Sequence, residues 1–232
     1  MIKTGQELAK AATNVVKHYK TLYVMGCFGA PLNSANKRRY IEHHSYNRSK
    51  ARTAMINAAG DSTFGFDCVG LIKGLLWDWK GDRFMTYGGA HYQINNVPDI
   101  NANTMFQACT GRSSDFSGLL PGEALWTSGH IGIYIGNGLA VECSPKWENG
   151  VQITAVLNIG KKDGYNGRRW RQHGRLPYIS YEGTKSLEAI ALEVIAGDWG
   201  VELCRLPCIG AWLWHCRNQR ESLHMGAFTF GY

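Results

Sequence analysis

The 232-residue sequence has no uninterrupted apolar run near the roughly 18 residues that a membrane-spanning helix needs. Its first residues, Met1-Ile2-Lys3-Thr4-Gly5-Gln6-Glu7-Leu8, lack the apolar h-region of a secretory signal. The chain is therefore expected to be made in the cytoplasm and, by its own sequence, to stay there. No low-complexity tract interrupts it, and 44% hydrophobic with 19% charged residues fits an ordinary globular protein. At this length one full core, or one domain and a short appendage, is expected. The seven cysteines, at 27, 68, 109, 143, 204, 208 and 216, follow no disulfide-framework spacing, so reduced thiols are the default. Cys204, Cys208, His215 and Cys216 match no common zinc module, and neither a metal nor another cofactor is expected. No basic-aromatic motif of a nucleic-acid module is present, so nucleic acid is not an expected partner.

What is present is positive charge. The net charge is +7, and residues 1–182 alone hold 21 Lys and Arg against 13 Asp and Glu. A basic body suits polyanions, among them nucleic acid, anionic lipid and bacterial wall polymers, and charge alone does not choose between them.

Leu8, Ala11, Ala12, Val15 and Val16 recur at helical spacing within residues 5–19. Leu22-Tyr23-Val24-Met25-Gly26-Cys27-Phe28-Gly29 is short, apolar and bounded by glycine. Residues 33–62 are polar and basic and read as a surface insertion with a short helix near Ala51–Ala59. Residues 80–115 are rich in Gly, Asn and Asp and read as an irregular connection with one helix near Ala102–Cys109. A strand series follows: Ala124–Trp126, Ile131–Ile135, Leu139–Cys143 and Val151–Thr154, with Gly136-Asn137-Gly138 as a turn. A last strand is expected at Arg175–Ile179. Helices first and strands afterwards spell an α+β domain.

Cys68 stands where Thr63-Phe64-Gly65-Phe66-Asp67 gives way to the helical pattern Val69, Ile72, Leu75 and Leu76. A thiol on the first turn of a helix meets free N–H groups and the positive end of the dipole, which favour thiolate. A thiol nucleophile needs a base, and His130, at the start of the strongest strand, is the best candidate. Alternation puts His130, Gly132 and Tyr134 on one face and Ile131, Ile133 and Ile135 on the other, and Gly132 leaves space beside His130. The orienting partner depends on the turn. A two-residue turn at Asn137-Gly138 would put Cys143 on the face of His130, whereas a three-residue loop would put Glu142 there, within diagonal reach. A carboxylate at that place would fix the imidazole tautomer.

Phe66-Asp67-Cys68-Val69-Gly70-Leu71 resembles the Asp-Cys-Ser-Gly-Leu motif of the NlpC family of bacterial cell-wall cysteine peptidases. Pro121-Gly122-Glu123-Ala124-Leu125-Trp126 is similar to that family's Pro-Gly-Asp-Leu-Val-Phe strand. Gly129-His130-Ile131-Gly132-Ile133-Tyr134-Ile135-Gly136 is similar to its Gly-His-Val-Gly-Ile-Tyr-Ile-Gly, and Leu22-Tyr23-Val24-Met25-Gly26 to its Pro-Tyr-Val-Trp-Gly segment. The likeness spans about residues 8–180. It implies a papain-like α+β fold with N-terminal helices packed on an antiparallel sheet, Cys68 as nucleophile and His130 as base. The family's third polar residue falls at Glu142, where histidine, asparagine or glutamine is more usual; glutamate resembles the related CHAP amidases. Tyr23, Asp67, Trp126 and Tyr134 become candidates for the substrate groove.

The resemblance further implies a peptidoglycan hydrolase acting on a stem-peptide amide, expected to be a γ-D-glutamyl-diamino acid endopeptidase. The alternatives are an N-acetylmuramoyl-L-alanine amidase and a non-catalytic wall-binding protein. Glu193-Val194-Ile195-Ala196-Gly197-Asp198-Trp199-Gly200 resembles the opening of the Cpl-type wall-binding repeats of phage lysins, after which the pattern breaks. A shifted reading frame is one explanation for the break; a C-terminal helix is the other. The expected organisation is a catalytic domain over residues 1–182 and a linker with a truncated or atypical wall-binding tail over 183–232. The resemblance to lysins also implies that the enzyme reaches the wall by phage-mediated release, with anionic wall polymers as further partners.

Overall fold

The computed structural model describes residues 1–85 and 88–181, and the counts and absences below refer to them. The expected domain boundary at 182/183, the Cpl-like segment at 193–200 and Cys204, Cys208, His215 and Cys216 lie outside the described residues.

Helix α1 (Gly5–His18) starts where Thr4 accepts a hydrogen bond from the Glu7 amide while the Glu7 carboxylate reaches back to the Thr4 amide, a capping box. Its Leu8, Ala12 and Val15 face is buried. Strands β1 (Lys20–Tyr23) and β2 (Phe28–Pro31) flank β3 (Thr63–Phe66), parallel on the β1 side and antiparallel on the other, in a small sheet of order β1-β3-β2. The segment between β2 and β3 contains more than the one expected helix. Helix α2 (Ser34–His43), a 3-10 turn and α3 (Lys50–Ala58) occupy it. Nor is it only a surface insertion: Tyr40 and Ile56 bury themselves with Val24, Cys27, Ala30 and Leu32 as a separate small core.

Helix α4 (Cys68–Leu76) is buried on all sides, as suits a helix that is apolar around its circumference except at Lys73, whose charge is paired with Asp99. Its glycines allow the close packing. A Cβ on Gly70 would stand 2.0 Å from the Cys27 carbonyl oxygen, and one on Gly74 would stand 2.3 Å from that of Phe28. After an irregular stretch and α5 (Ala102–Ala108) come β4 (Thr110–Ser113), β5 (Ala124–Thr127), β6 (His130–Gly136), β7 (Leu139–Ser144), β8 (Gly150–Val156), β9 (Gly167–Arg168) and β10 (Gln172–Arg175). They form one sheet of order β4-β10-β5-β6-β7-β8-β9, antiparallel except for the β8–β9 pair. The last strand lies three residues earlier than the sequence pattern suggests; Pro177, which has no N–H to donate, sits beyond its end.

Helices α1 and α4 pack on one face of this sheet, against Ile131, Ile133, Val141, Cys143 and Val151. Each fully buried isoleucine there contributes roughly 1.5–3 kcal/mol. The other face carries Leu125, Tyr134, Ala140, Val156 and Trp170, with Phe116 and Leu119 laid over it. The molecule is thus an α+β fold, with its N-terminal helices packed on an antiparallel sheet.

The β6–β7 register settles which residue faces His130. Gly136 pairs with Leu139, so Asn137-Gly138 is a two-residue turn, both residues with positive φ. A bulge then absorbs Ile135, and Tyr134 pairs with Ala140. Beyond the bulge the register equals that of a three-residue loop. Glu142, not Cys143, joins His130, and Cys143 turns its thiol to the Phe66 carbonyl on the opposite face.

Candidate active site

Cys68 is the first residue of α4, and Asp67 caps the helix. The Asp67 carboxylate accepts from the Gly70 amide at 2.5 Å and from the Gly26 amide at 2.8 Å, tying the helix start to the turn after β1. The Cys68 sulfur lies against three backbone N–H groups: its own, that of Val69 and that of Ile131, the residue after His130. The first two have no acceptor within the helix, since they belong to its first turn.

Cys68 is 7% exposed, at the floor of a cleft of 640 Å³. Tyr23, Met25, Phe28, Tyr40 and Tyr92 supply aromatic and apolar walls, and Arg39, His43, His44, Lys73 and Asp99 supply polar ones. Tyr23 is braced from behind by Arg52, whose guanidinium donates to the Tyr23 carbonyl oxygen and to Asn149 Oδ1 and lies 5.7 Å from the Tyr23 ring. Lys73, on the Cys68 helix, forms an ion pair with Asp99, which also accepts from the Tyr92 hydroxyl at 2.9 Å.

Burial pushes the Cys68 thiol up to about 12, and the Asp67 carboxylate pushes the same way; the three amides only partly offset them. The helix start favours thiolate, and burial works against it. Desolvation outweighs the dipole, and the sulfur rests as a thiol. Burial also raises Asp67, against the Gly70 and Gly26 amides and the charge of Lys73, and raises Tyr23. Burial lowers His44, which favours its neutral form.

His130 and Glu142 form the second part of the site. Nε2 of His130 lies 2.8 Å from Glu142 Oε2, and its ring stacks on Trp170 at 5.6 Å and 10°. Gly132 leaves room for Trp170: a Cβ there would stand 2.9 Å from its ring. The space beside His130, expected to open onto a groove, is therefore filled by an indole. With Nε2 engaged, Nδ1 is left for proton exchange; it makes no hydrogen bond among the described residues, Cys68 included. Upstream of His130, Asn103 Oδ1 accepts from the Gly129 amide at 2.8 Å and from the Trp126 indole at 3.0 Å, which fixes the approach to the strand.

Glu142 is fully buried and accepts from Thr154 Oγ1 at 2.8 Å and from Arg168 Nε at 3.0 and 2.8 Å, besides its contact with His130. Burial favours its protonated form, but the hydrogen bonds from His130 and Arg168, together with the Arg168 charge, outweigh burial and hold its pKa below the usual glutamate value. It is a carboxylate.

Of the residues anticipated for the groove, Tyr23 and Asp67 line the cleft with Cys68. Trp126 instead stacks on Phe106 at 5.0 Å, and Tyr134 is buried in the second core, where its hydroxyl accepts from the Gly138 amide. Sequence reading missed Arg168, Thr154 and Trp170 around Glu142, as well as the Lys73–Asp99 pair. None stands in a motif; only the topology brings them to the site. No group of three His, Cys, Asp or Glu among the described residues is arranged to hold a metal ion, and no described helix is long and apolar enough to cross a membrane.

No protein-family model and no curated protein matches the chain significantly. Among solved structures it is similar to NlpC2 from Trichomonas vaginalis, at 15% identity and a TM-score of 0.38, over 76% of this chain and 48% of that one. It is likewise similar to NlpC1 from the same organism, at 16% identity and a TM-score of 0.38, over 76% and 46%. The chain thus spans about half the length of either structure. The chemistry of the site rests on its own geometry.

Proposed function

We propose that this chain is a cysteine hydrolase of peptidoglycan that cleaves an amide bond of the stem peptide. The observation that carries the reading is the convergence at the start of β6. A cysteine at a helix N-terminus in a cleft abuts the amide next to a histidine whose far nitrogen is fixed by a buried carboxylate.

In this mechanism the thiol proton passes to His130 Nδ1 as Cys68 attacks the scissile carbonyl. The free amides of Cys68 and Val69 stand ready to stabilise the oxyanion, the role for which backbone donors are most effective. His130 then protonates the leaving amine, and water releases the acyl group. Glu142 holds the imidazole in one tautomer throughout. The finer assignment, supported by the sequence motifs, is a γ-D-glutamyl-diamino acid endopeptidase of lysin type that reaches the wall through phage-mediated release. The basic body would add attraction to anionic wall polymers, and the Cpl-like segment would retain the enzyme there as a separate wall-binding tail.

The test compares the full chain with Cys68→Ala on purified bacterial walls. The reading expects turbidity to fall with the parent chain and not with the variant, while both sediment with the walls. Equal clearing by both would remove Cys68 as the nucleophile, and clearing by neither while both sediment would leave a wall-binding protein without catalysis.

A further inference from the structure

Arg168 approaches Glu142 from β9, which pairs in parallel with β8 and places Arg168 opposite Val156. Its Nε lies 3.0 and 2.8 Å from the two carboxylate oxygens, one Nη lies 2.7 Å from Oε2, and the same Nη donates to Ser144 Oγ at 3.4 Å. Trp147 and Trp170 lie 5.2 and 5.5 Å from the guanidinium carbon, and Trp170 is the ring on which His130 stacks. Trp147 holds this position at φ +58°, a backbone conformation uncommon for a bulky residue. Arg168 and His130 therefore share one oxygen of one buried carboxylate, beside one indole.

We propose that Arg168 is a positioning residue that keeps His130 a neutral base by taking up the charge of Glu142. The proposal rests on the reading of Cys68 and His130 as nucleophile and base. A buried carboxylate whose only partners were Thr154 and a histidine would draw a proton onto the imidazole and keep it there, since an opposite charge at this range shifts a titration by 1–3 units. An imidazolium cannot accept the thiol proton. With Arg168 in place Glu142 is already neutralised, and it orients Nε2 without saturating Nδ1. The transfer then balances: the S–H bond breaks, an N–H bond forms at Nδ1, and the electron pair stays on sulfur. Among the described residues, the charged and titratable groups that face this unit are few. His130 from β6 and Arg168 from β9 face Glu142, with Thr154 from β8 as a neutral donor; Asp67 and Tyr23 face Cys68, and the Cys143 thiol lies near both Cys68 and Glu142.

The experiment titrates the His130 ring by NMR in the full chain labelled at histidine Cε1, with its resonance assigned by loss in His130→Gln. Arg168→Gln is expected to raise the His130 midpoint by about 1 pH unit and to move the acid limb of wall hydrolysis upward with it, whereas Arg168→Lys restores the parent midpoint. If Arg168→Gln does not fold, Arg168→Lys alone is compared with Glu142→Gln/Arg168→Gln, in which no buried charge is left unpaired and His130 titrates below its parent value. A midpoint unchanged in Arg168→Gln, or in the double variant, overturns the proposal. A shifted midpoint in a chain inactive on walls supports the Arg168 coupling while removing the hydrolase reading, so the two failures are distinguishable.

Discussion

Nε2 of His130 and Oε2 of Glu142 stand 2.8 Å apart across two neighbouring strands, and a single bulge at Ile135 puts them on the same face. Without that bulge the two-residue turn would deliver Cys143 instead, because side chains alternate along a strand. Glu142 therefore fixes the His130 ring and also pairs with the Arg168 guanidinium.

Glu142→Gln keeps the shape but removes the charge, leaving the Arg168 guanidinium mostly buried without a counterion. Breaking a buried pair this way costs about 3 kcal/mol. Thermal unfolding is expected to shift down by about 10 °C, with wall hydrolysis down on the order of 10²-fold at a temperature where the variant is folded. Parent-like stability and rate would show that Glu142 is dispensable.

Asp67 caps α4 and also opposes ionisation of Cys68. Asp67→Asn retains an oxygen acceptor for the Gly70 amide while removing the charge, so the Cys68 thiol is expected to ionise at lower pH. The rate of iodoacetamide alkylation at Cys68, followed by peptide mass mapping across pH, reads this directly. An unmoved profile would mean that Asp67 carries no charge in the folded protein.

Gly70 has no room for a methyl group, since the added carbon would meet the Cys27 carbonyl oxygen at 2.0 Å, a backbone atom that cannot turn aside. Gly70→Ala is expected to cost about 3 kcal/mol or more and to reduce both soluble yield and Cys68 reactivity. Gly60→Ala, where nothing lies within 4 Å, serves as the control and should be close to neutral.

A second histidine–glutamate pair lies away from the cysteine. His173 Nδ1 is 2.6 Å from Glu123 Oε2, and its Nε2 is 2.7 Å from the Asp115 carbonyl oxygen, so both ring nitrogens face acceptors. Burial works against the charged ring, but Glu123 and the Asp115 carbonyl outweigh it and raise its pKa above the ordinary histidine value. A raised folded-state pKa stabilises the fold fully below the unfolded value of about 6.5, and that contribution is lost as pH rises through the folded value. Thermal stability is expected to decline from about pH 6 towards pH 9, and His173→Gln should be less stable at pH 6 with a flatter decline. An equal slope in both proteins would contradict this role.

Much of this architecture was legible because local signals and tertiary structure agree. Thr4 and Glu7 spell a capping box, Cys68 follows an aspartate cap, and Gly129–Gly136 alternates as a half-buried strand. The small sheet was not legible: β1 and β3 pair in parallel over some forty residues, with no local turn to announce them. Arg168 escaped for the same reason, since a two-residue strand has no periodicity. Sequence left the turn at Asn137-Gly138 open between two registers, and the bulge that decides it is invisible in residue pattern. The thiol's resting state was also out of reach, because the dipole is written in the helix start while desolvation depends on everything packed around it.

The most direct test of the central claim is mass spectrometry of soluble fragments released from purified peptidoglycan by the full chain and by Cys68→Ala. The account predicts fragments ending at a hydrolysed stem-peptide amide, with a new free amine on the diamino acid, from the parent chain only. Release of the same fragments by Cys68→Ala, or no cleaved amide in the parent digest, would contradict it.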